Sequence, residues 1–274
     1  MGGIDMQSDS FGIIGYGKMG SSIVKGAIKS ALFDPSDVMV YDLDPPRVAA
    51  ATTTGLRVVK SLDEMAGCSQ LLVAVKPKDV PALAERLKSM MPMRDVLVIS
   101  IAAGIKLSNL ESRLGVDARV IRAMPNIAAA VAEAASVYVA NRNATKQDIT
   151  FASKLLNGIG VAYLVEDESM MDAVTGLSGS GPAYFFYIMR ALEEVGRRSG
   201  LPAPLVRSLV SQTCKGAGAM AASSPEPFDQ LIRFVASPGG TTEEALKVIE
   251  SKGVSSAIID AATAAIEKSK RMNY

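Results

Sequence analysis

Apolar residues follow two rhythms along this chain, and the change between them falls near residue 165. Up to that point short, nearly unbroken apolar runs alternate with stretches of helical period. The runs occupy residues 11–14, 38–42, 57–59, 70–75, 96–101, 119–123, 136–140 and 161–165. Such continuity suits parallel strands covered on both faces, because a strand with one wet face alternates instead. Helical stretches lie between them: residues 21–32, a helix opened by Asp44 with Pro45 and Pro46 in its first turn, and another beginning near Thr145. Strand and helix in alternation predict a doubly wound α/β domain over residues 1–165.

After Glu166-Asp167-Glu168 no strand pattern recurs. Helical segments are predicted at 170–177, 182–199, 204–222, 242–252 and 254–272, with Pro182 and Pro204 at first-turn positions and Gly200 and Gly253 as C-terminal caps. Residues 166–274 therefore form an all-α domain. The segment 182–199 is apolar over a wide arc, through Tyr184, Phe185, Phe186, Ile188, Met189 and Leu192. A small domain cannot bury such a helix on every side, so a second subunit is expected to cover it. Small residues crowd 216–222 and would let a neighbouring helix approach closely.

Composition narrows the function. The 274 residues are 49% hydrophobic and 21% charged with a net charge of +1, which gives no footprint for nucleic acid or an anionic membrane. The longest apolar runs, such as 96–103, are too short to span a bilayer, and the first ten residues lack a basic region followed by an apolar stretch. Cys68 and Cys214 have no CxxC spacing and read as free thiols, so a cytoplasmic enzyme without a metal is expected. There is no histidine at all.

The most telling stretch is FGIIGYGKMG, residues 11–20. A strand runs into Gly15, Gly17 and Gly20 and a helix follows, the context in which this spacing marks a dinucleotide site. The unpaired N–H groups at the helix start would take the pyrophosphate. Asp42 ends the next strand but one helix on, where an acid accepts from a ribose 2′-hydroxyl and favours NADH; Arg47 stands close enough to meet a 2′-phosphate. Residues that end later strands face the same crevice: Lys76, and Asn126 with a donor and an acceptor for a carboxamide, or an Asx turn after Pro125. In the helical part, Ser237-Pro238-Gly239-Gly240-Thr241-Thr242 sets bare backbone before a helix, a place for a carboxylate or a plain helix cap.

The ordered set GYGKMG, VAVKP, ISIAAG, RAMPN, TGLSGSGPAY and SPGGTT resembles the pyrroline-5-carboxylate reductases over nearly the whole chain. The resemblance implies a Rossmann-like domain followed by a helical dimerisation domain, with dimers often assembled further. It also implies reduction of 1-pyrroline-5-carboxylate to L-proline by NADPH or NADH. Carried over residue by residue, Gly15, Tyr16, Gly17, Lys18 and Met19 would hold the pyrophosphate. Lys76, Pro77, Ala102, Ala103 and Asn126 would line the ribose and nicotinamide. Ser237, Gly239, Gly240 and Thr241 would bind the substrate carboxylate and Thr242 the ring nitrogen, with helices of a partner subunit completing the site. The chain departs from the family pattern at Ile127-Ala128, where a Thr and a Pro are usual, and at Arg233 in the segment before SPGG.

Two other readings compete. A β-hydroxyacid dehydrogenase would share the plan and the spacing of Gly176, Gly179 and Gly181, but its catalytic lysine and asparagine would fall on Phe185 and Met189. A catalytically silent NAD(P)-sensing protein would have no use for an intact SPGGTT. The missing histidine agrees with imine chemistry, since carbonyl reduction needs a general acid and an already protonated imine does not.

Overall fold

The computed structural model of the chain describes residues 11–272. Eight strands form one sheet: β1 (Phe11–Ile14), β2 (Val38–Tyr41), β3 (Arg57–Val58), β4 (Gln70–Val73), β5 (Leu97–Ser100), β6 (Arg119–Met124), β7 (Ala134–Ala140) and β8 (Gly160–Leu164). Their order is β3-β2-β1-β4-β5-β6-β7-β8, all parallel except for the β6–β7 pair. The Rossmann-like expectation is met, and the order reverses between β1 and β4, where Ile14 lies opposite Val73. A crevice opens at the carboxyl ends of strands flanking such a reversal.

Strand β8, at the sheet edge, leaves Val161, Tyr163 and Leu164 exposed, but β1, β2, β4, β5 and β6 are largely buried on both faces because helices cover both. These are α1 (Lys18–Lys29), α2 (Pro45–Thr53), α3 (Val80–Met90), α4 (Leu107–Leu114), α5 (Lys146–Asn157) and α6 (Met170–Val174). Successive residues go to opposite sides: Ile13 joins a cluster with Ile23, Leu155 and Leu156, while Ile14 joins another with Leu87 and Leu110. On the first side Phe11 stacks on Phe33 at 4.9 Å between ring centroids, with Phe151 edge-on to Phe33 at 5.8 Å. The predicted strands overran slightly at the crevice: 70–75 ends at Val73 and 96–101 at Ser100, leaving the following residues free to turn.

The first compact unit runs through Ser180 and takes in the chain again from Ala265. Several contacts carry it beyond residue 165. Met171 of α6 is fully buried against the sheet. The Glu168 carboxylate accepts from Arg122 Nη1 at 2.8 Å and from Leu107 N at 2.7 Å, and Arg122 is almost wholly buried. Near the end of the described chain, Ser269 Oγ donates to Asp172 at 2.7 Å.

The second unit, Gly181–Ala264, holds α7 (Gly181–Arg198), α8 (Ala203–Ser223), α9 (Phe228–Val235), α10 (Thr241–Ser251) and most of α11 (Val254–Arg271). Helix α9 was not foreseen, although Phe228, Leu231, Ile232 and Val235 recur at helical spacing. Helices α7 and α8 approach closely because position 196 is Gly: a Cβ there would lie 2.6 Å from Val206 Cγ1. Little else is covered. Val206 is the one buried residue of α8, and α9 and α10 have none. Phe185, Phe186, Leu192, Leu209, Phe228 and Phe234 are all exposed, and the sites of Gly216 and Gly218 face open space. Each such side chain is half or more exposed and forgoes roughly 1–2 kcal/mol of burial, so the unit is built to be covered by another molecule.

Candidate active site

The glycine loop has the geometry of a dinucleotide site. Gly15 adopts φ +101°, and a Cβ there would sit 2.7 Å from the Ala74 carbonyl oxygen; at Gly20 it would sit 2.2 Å from the Gly15 oxygen. Those two glycines are demanded by the protein itself. Gly17 is different, because the nearest atom to a Cβ there is Arg47 Nη1 at 3.7 Å. Space over Gly17 is clear, and Gly17 is the N-cap of α1 with no side chain capping the helix and no acid in its first turn. Backbone donors at the positive end of α1, from Lys18 and Met19, therefore face an uncovered position suited to a phosphate. The Tyr16 N–H does not join them. It donates to Asp42 Oδ2 at 2.6 Å.

Asp42 turns inward. Its side chain is 6% exposed, Oδ1 accepts from Asp44 N at 2.8 Å, and Arg47 Nη1 stands 3.5 Å from Oδ2. Arg47 also pairs with Asp44 at 3.0 Å and is itself half exposed. Oδ2 thus braces the glycine loop against the end of β2, while Oδ1 holds the turn into α2. Beside this brace lies a cavity of about 550 Å³ lined by Gly15, Tyr41, Arg47, Val75, Lys76 and Lys78 among others. Lys76 precedes a short 3-10 turn, Pro77–Asp79, and has no carboxylate partner among the described residues.

Ala102, buried, and Ala103 follow β5. Asn126 follows β6 and is nearly buried, with its amide committed twice: Oδ1 accepts from Ala128 N at 3.2 Å and Nδ2 donates to Ser178 O at 3.0 Å. The Asx turn is therefore present, and the same side chain ties the end of β6 to the π-helical turn Thr175–Gly179. One N–H and one lone pair of the amide remain.

In the second unit SPGGTT forms a tight turn into α10. Gly239 adopts φ +71°, the Gly240 N–H donates to Ser237 O at 3.0 Å, and Gly240 caps the helix without a side-chain bond. The free donors are therefore in the first turn of α10, the Thr241 and Thr242 N–H groups among them, rather than the Gly239–Gly240 pair that bare sequence suggests. Thr242 is half-buried, and its hydroxyl has no partner among the described residues. The Gly239 N–H is taken by Glu243. Sequence reasoning missed Glu243, which directly follows SPGGTT, and the pair of Arg122, inside RAMPN, with Glu168. Among the described residues no trio of Asp, Glu or Cys is disposed to hold a metal, and no helix is long and apolar enough to cross a membrane.

A doubly wound sheet with this loop defines a dinucleotide-binding protein of Rossmann type, here carrying a separate helical unit. Comparison with known proteins refines that class. Residues 168–272 match the pyrroline-5-carboxylate reductase dimerisation family and residues 10–104 the coenzyme F420-dependent NADP oxidoreductase family. Pyrroline-5-carboxylate reductase of Pisum sativum is 40% identical over 97% of both chains. Among solved structures, a pyrroline-5-carboxylate reductase of Coxiella burnetii superposes with a TM-score of 0.90 at 32% identity, covering 98% of this chain and all of its own. The Plasmodium falciparum enzyme with NADP bound gives 0.88 at 30% identity, with the same coverage. The chain belongs to the pyrroline-5-carboxylate reductase family.

Proposed function

We infer that the chain reduces 1-pyrroline-5-carboxylate to L-proline, the last step of proline biosynthesis, using NADPH or NADH. The observation that carries this reading is the SPGGTT turn, which offers first-turn N–H donors without a hydrogen-bond partner among the described residues, on a chain whose other unit has a cleared glycine loop. A bound NAD(P)H supplies the hydride. Gly17, Lys18 and Met19 would hold its pyrophosphate, with Gly15 and Tyr16 shaping the loop. Lys76, Pro77, Ala102, Ala103 and Asn126 would border the ribose and nicotinamide.

The substrate's carboxylate would lie on the N–H groups of Thr241 and Thr242, in the turn that Ser237, Gly239 and Gly240 shape. The Thr242 hydroxyl would orient the ring nitrogen. An iminium accepts hydride and becomes a neutral amine, so no proton donor is required as the C–H bond forms. Placement then supplies most of the rate, and positioning of this kind is worth about 7 kcal/mol or more. A chain without histidine can do this chemistry.

The rival dehydrogenase reading is disfavoured because Phe185 and Met189, at its acid and amide positions, are apolar side chains on α7. We further propose a homodimer built on the second unit and assembled into a higher homo-oligomer. Cys68 and Cys214 form no disulfide, which suits a cytoplasmic setting. The test is direct: NAD(P)H oxidation by the purified protein with 1-pyrroline-5-carboxylate, with L-proline identified as product. Cofactor oxidation that yields no proline would overturn the assignment, as would an inert protein.

A further inference from the structure

The turn that starts α10 already holds a carboxylate. Glu243, the third residue of the helix, folds back so that Oε2 accepts from the Gly239 N–H at 2.5 Å, while Oε1 lies 3.2 Å from Lys247 Nζ one turn further along. A capping glutamate at this position would reach the N–H of the N-cap residue. Here the N-cap is Gly240, whose N–H is already spent on Ser237 O at 3.0 Å. Glu243 passes over it and takes a donor outside the helix. The bond therefore does little for α10 and instead holds a carboxylate on Gly239, in the same turn whose Thr241 and Thr242 N–H groups are free.

We propose that Glu243 is an internal competitor for the substrate's carboxylate, occupying the turn until the substrate displaces it. This rests on the reading of SPGGTT as the carboxylate site. Lys247 gives the displaced side chain a second resting place, since Oε1 can keep that partner while Oε2 leaves Gly239. The Lys247 ammonium is held above its ordinary pKa, first by the hydrogen bond to Glu244 and then by that to Glu243. The consequence is selectivity as well as weakened binding. A cyclic imine with an acid group exchanges one carboxylate for another at the turn, whereas one without an acid has nothing to offer in place of Glu243. Glu243 is thus a specificity-determining residue that need not touch the reacting carbon.

The experiment is steady-state kinetics of the full-length enzyme with 1-pyrroline-5-carboxylate and NADPH, and with L-proline as product inhibitor. Glu243→Ala should lower the substrate KM and the proline inhibition constant together, by about three- to tenfold, the scale of one net hydrogen bond exchanged at an exposed site. The NADPH KM should hold and kcat should stay within about twofold. Glu243→Gln, which keeps the shape, should shift both constants the same way by less. Glu244→Ala removes an equal charge one residue along without touching Gly239, and should leave both within about twofold. Unchanged or raised constants in folded Glu243 variants would show a loop brace and overturn the proposal, and so would an equal effect from Glu244→Ala. Either result, seen against an active wild type, leaves the reductase reading standing. An inactive wild type would remove that reading, and the proposal with it.

Discussion

The Asp42 carboxylate accepts the backbone N–H of Tyr16 at 2.6 Å and so clamps the glycine loop to the end of β2. From sequence, an acid at this place reads the ribose; in the structure both its oxygens serve the backbone and its side chain is nearly buried. Asp42→Ser should therefore raise the KM of NADH and of NADPH together, by about tenfold, since the charge-assisted bond to the loop is lost. Arg47 behaves differently. It is half exposed and stands 3.7 Å from where a Cβ on Gly17 would be, in reach of a phosphate on the cofactor. Arg47→Gln should weaken NADPH several-fold more than NADH. The ratio of kcat/KM for the two cofactors, measured in both variants, checks the pair; a swing toward NADPH in Asp42→Ser would return Asp42 to the ribose.

Thr242 should orient and not protonate. Its hydroxyl is uncommitted at the second position of α10, and losing one hydrogen bond to a charged group costs about 1.5–3 kcal/mol. Thr242→Ala should thus lower kcat/KM by about ten- to a hundredfold while NADPH binding holds. Activity lost beyond detection in a folded variant would make Thr242 a proton donor instead.

Position 239 tests the turn itself. Gly239 holds φ +71°, which costs a residue with a Cβ on the order of 1 kcal/mol or more. Gly239→Ala should raise the substrate KM several-fold and leave the cofactor KM near wild type. Gly240→Val should do the same more strongly, because a Cβ there would press on Ser237 O at 3.0 Å. Unaltered kinetics in both would take the turn out of substrate binding.

Much of this arrangement was legible in the sequence because it rests on local rules. Continuous apolar runs find parallel strands, and Gly15 and Gly20 announce a turn that only a missing Cβ allows. What could not be read was where polar side chains spend their bonds. Asp42 and Asn126 lie where the motif puts them, but long-range partners, Tyr16 N and Ser178 O, decide how they point. Glu168 looked like part of a charged break between domains. Its partner Arg122 is 46 residues away, and no spacing rule links them. Helix α9 was visible in principle, since Phe228, Leu231, Ile232 and Val235 form one stripe; its eight residues lie between prolines and a motif that drew the attention.

The Arg122–Glu168 pair carries its own prediction. Arg122 has a side chain 5% exposed, so removing its carboxylate strands a charge in the core. Breaking a buried pair from one side costs about 3–5 kcal/mol, and the lower end applies because Glu168 is partly exposed. Glu168→Ala should lower stability by about 3 kcal/mol in chemical denaturation and free the Leu107 N–H at the start of α4. A loss below about 1 kcal/mol would mean that water reaches Arg122 readily.

Self-association follows from what the second unit leaves bare. Phe186 is 61% and Leu192 51% exposed on α7, and α8 has only Val206 buried. A symmetric partner covering these helices would bury on the order of 1,000 Å² or more per subunit, the range of obligate interfaces. Leu192→Glu places a charge at the centre of that surface while leaving the fold of one subunit untouched, because the side chain is half exposed within it. The variant should run as a monomer or aggregate and lose turnover, while the first unit still binds NADPH. Light scattering and activity on the same sample decide the matter. A soluble, fully active monomer would show that the exposed helices need no second copy, and that one subunit completes its substrate site alone.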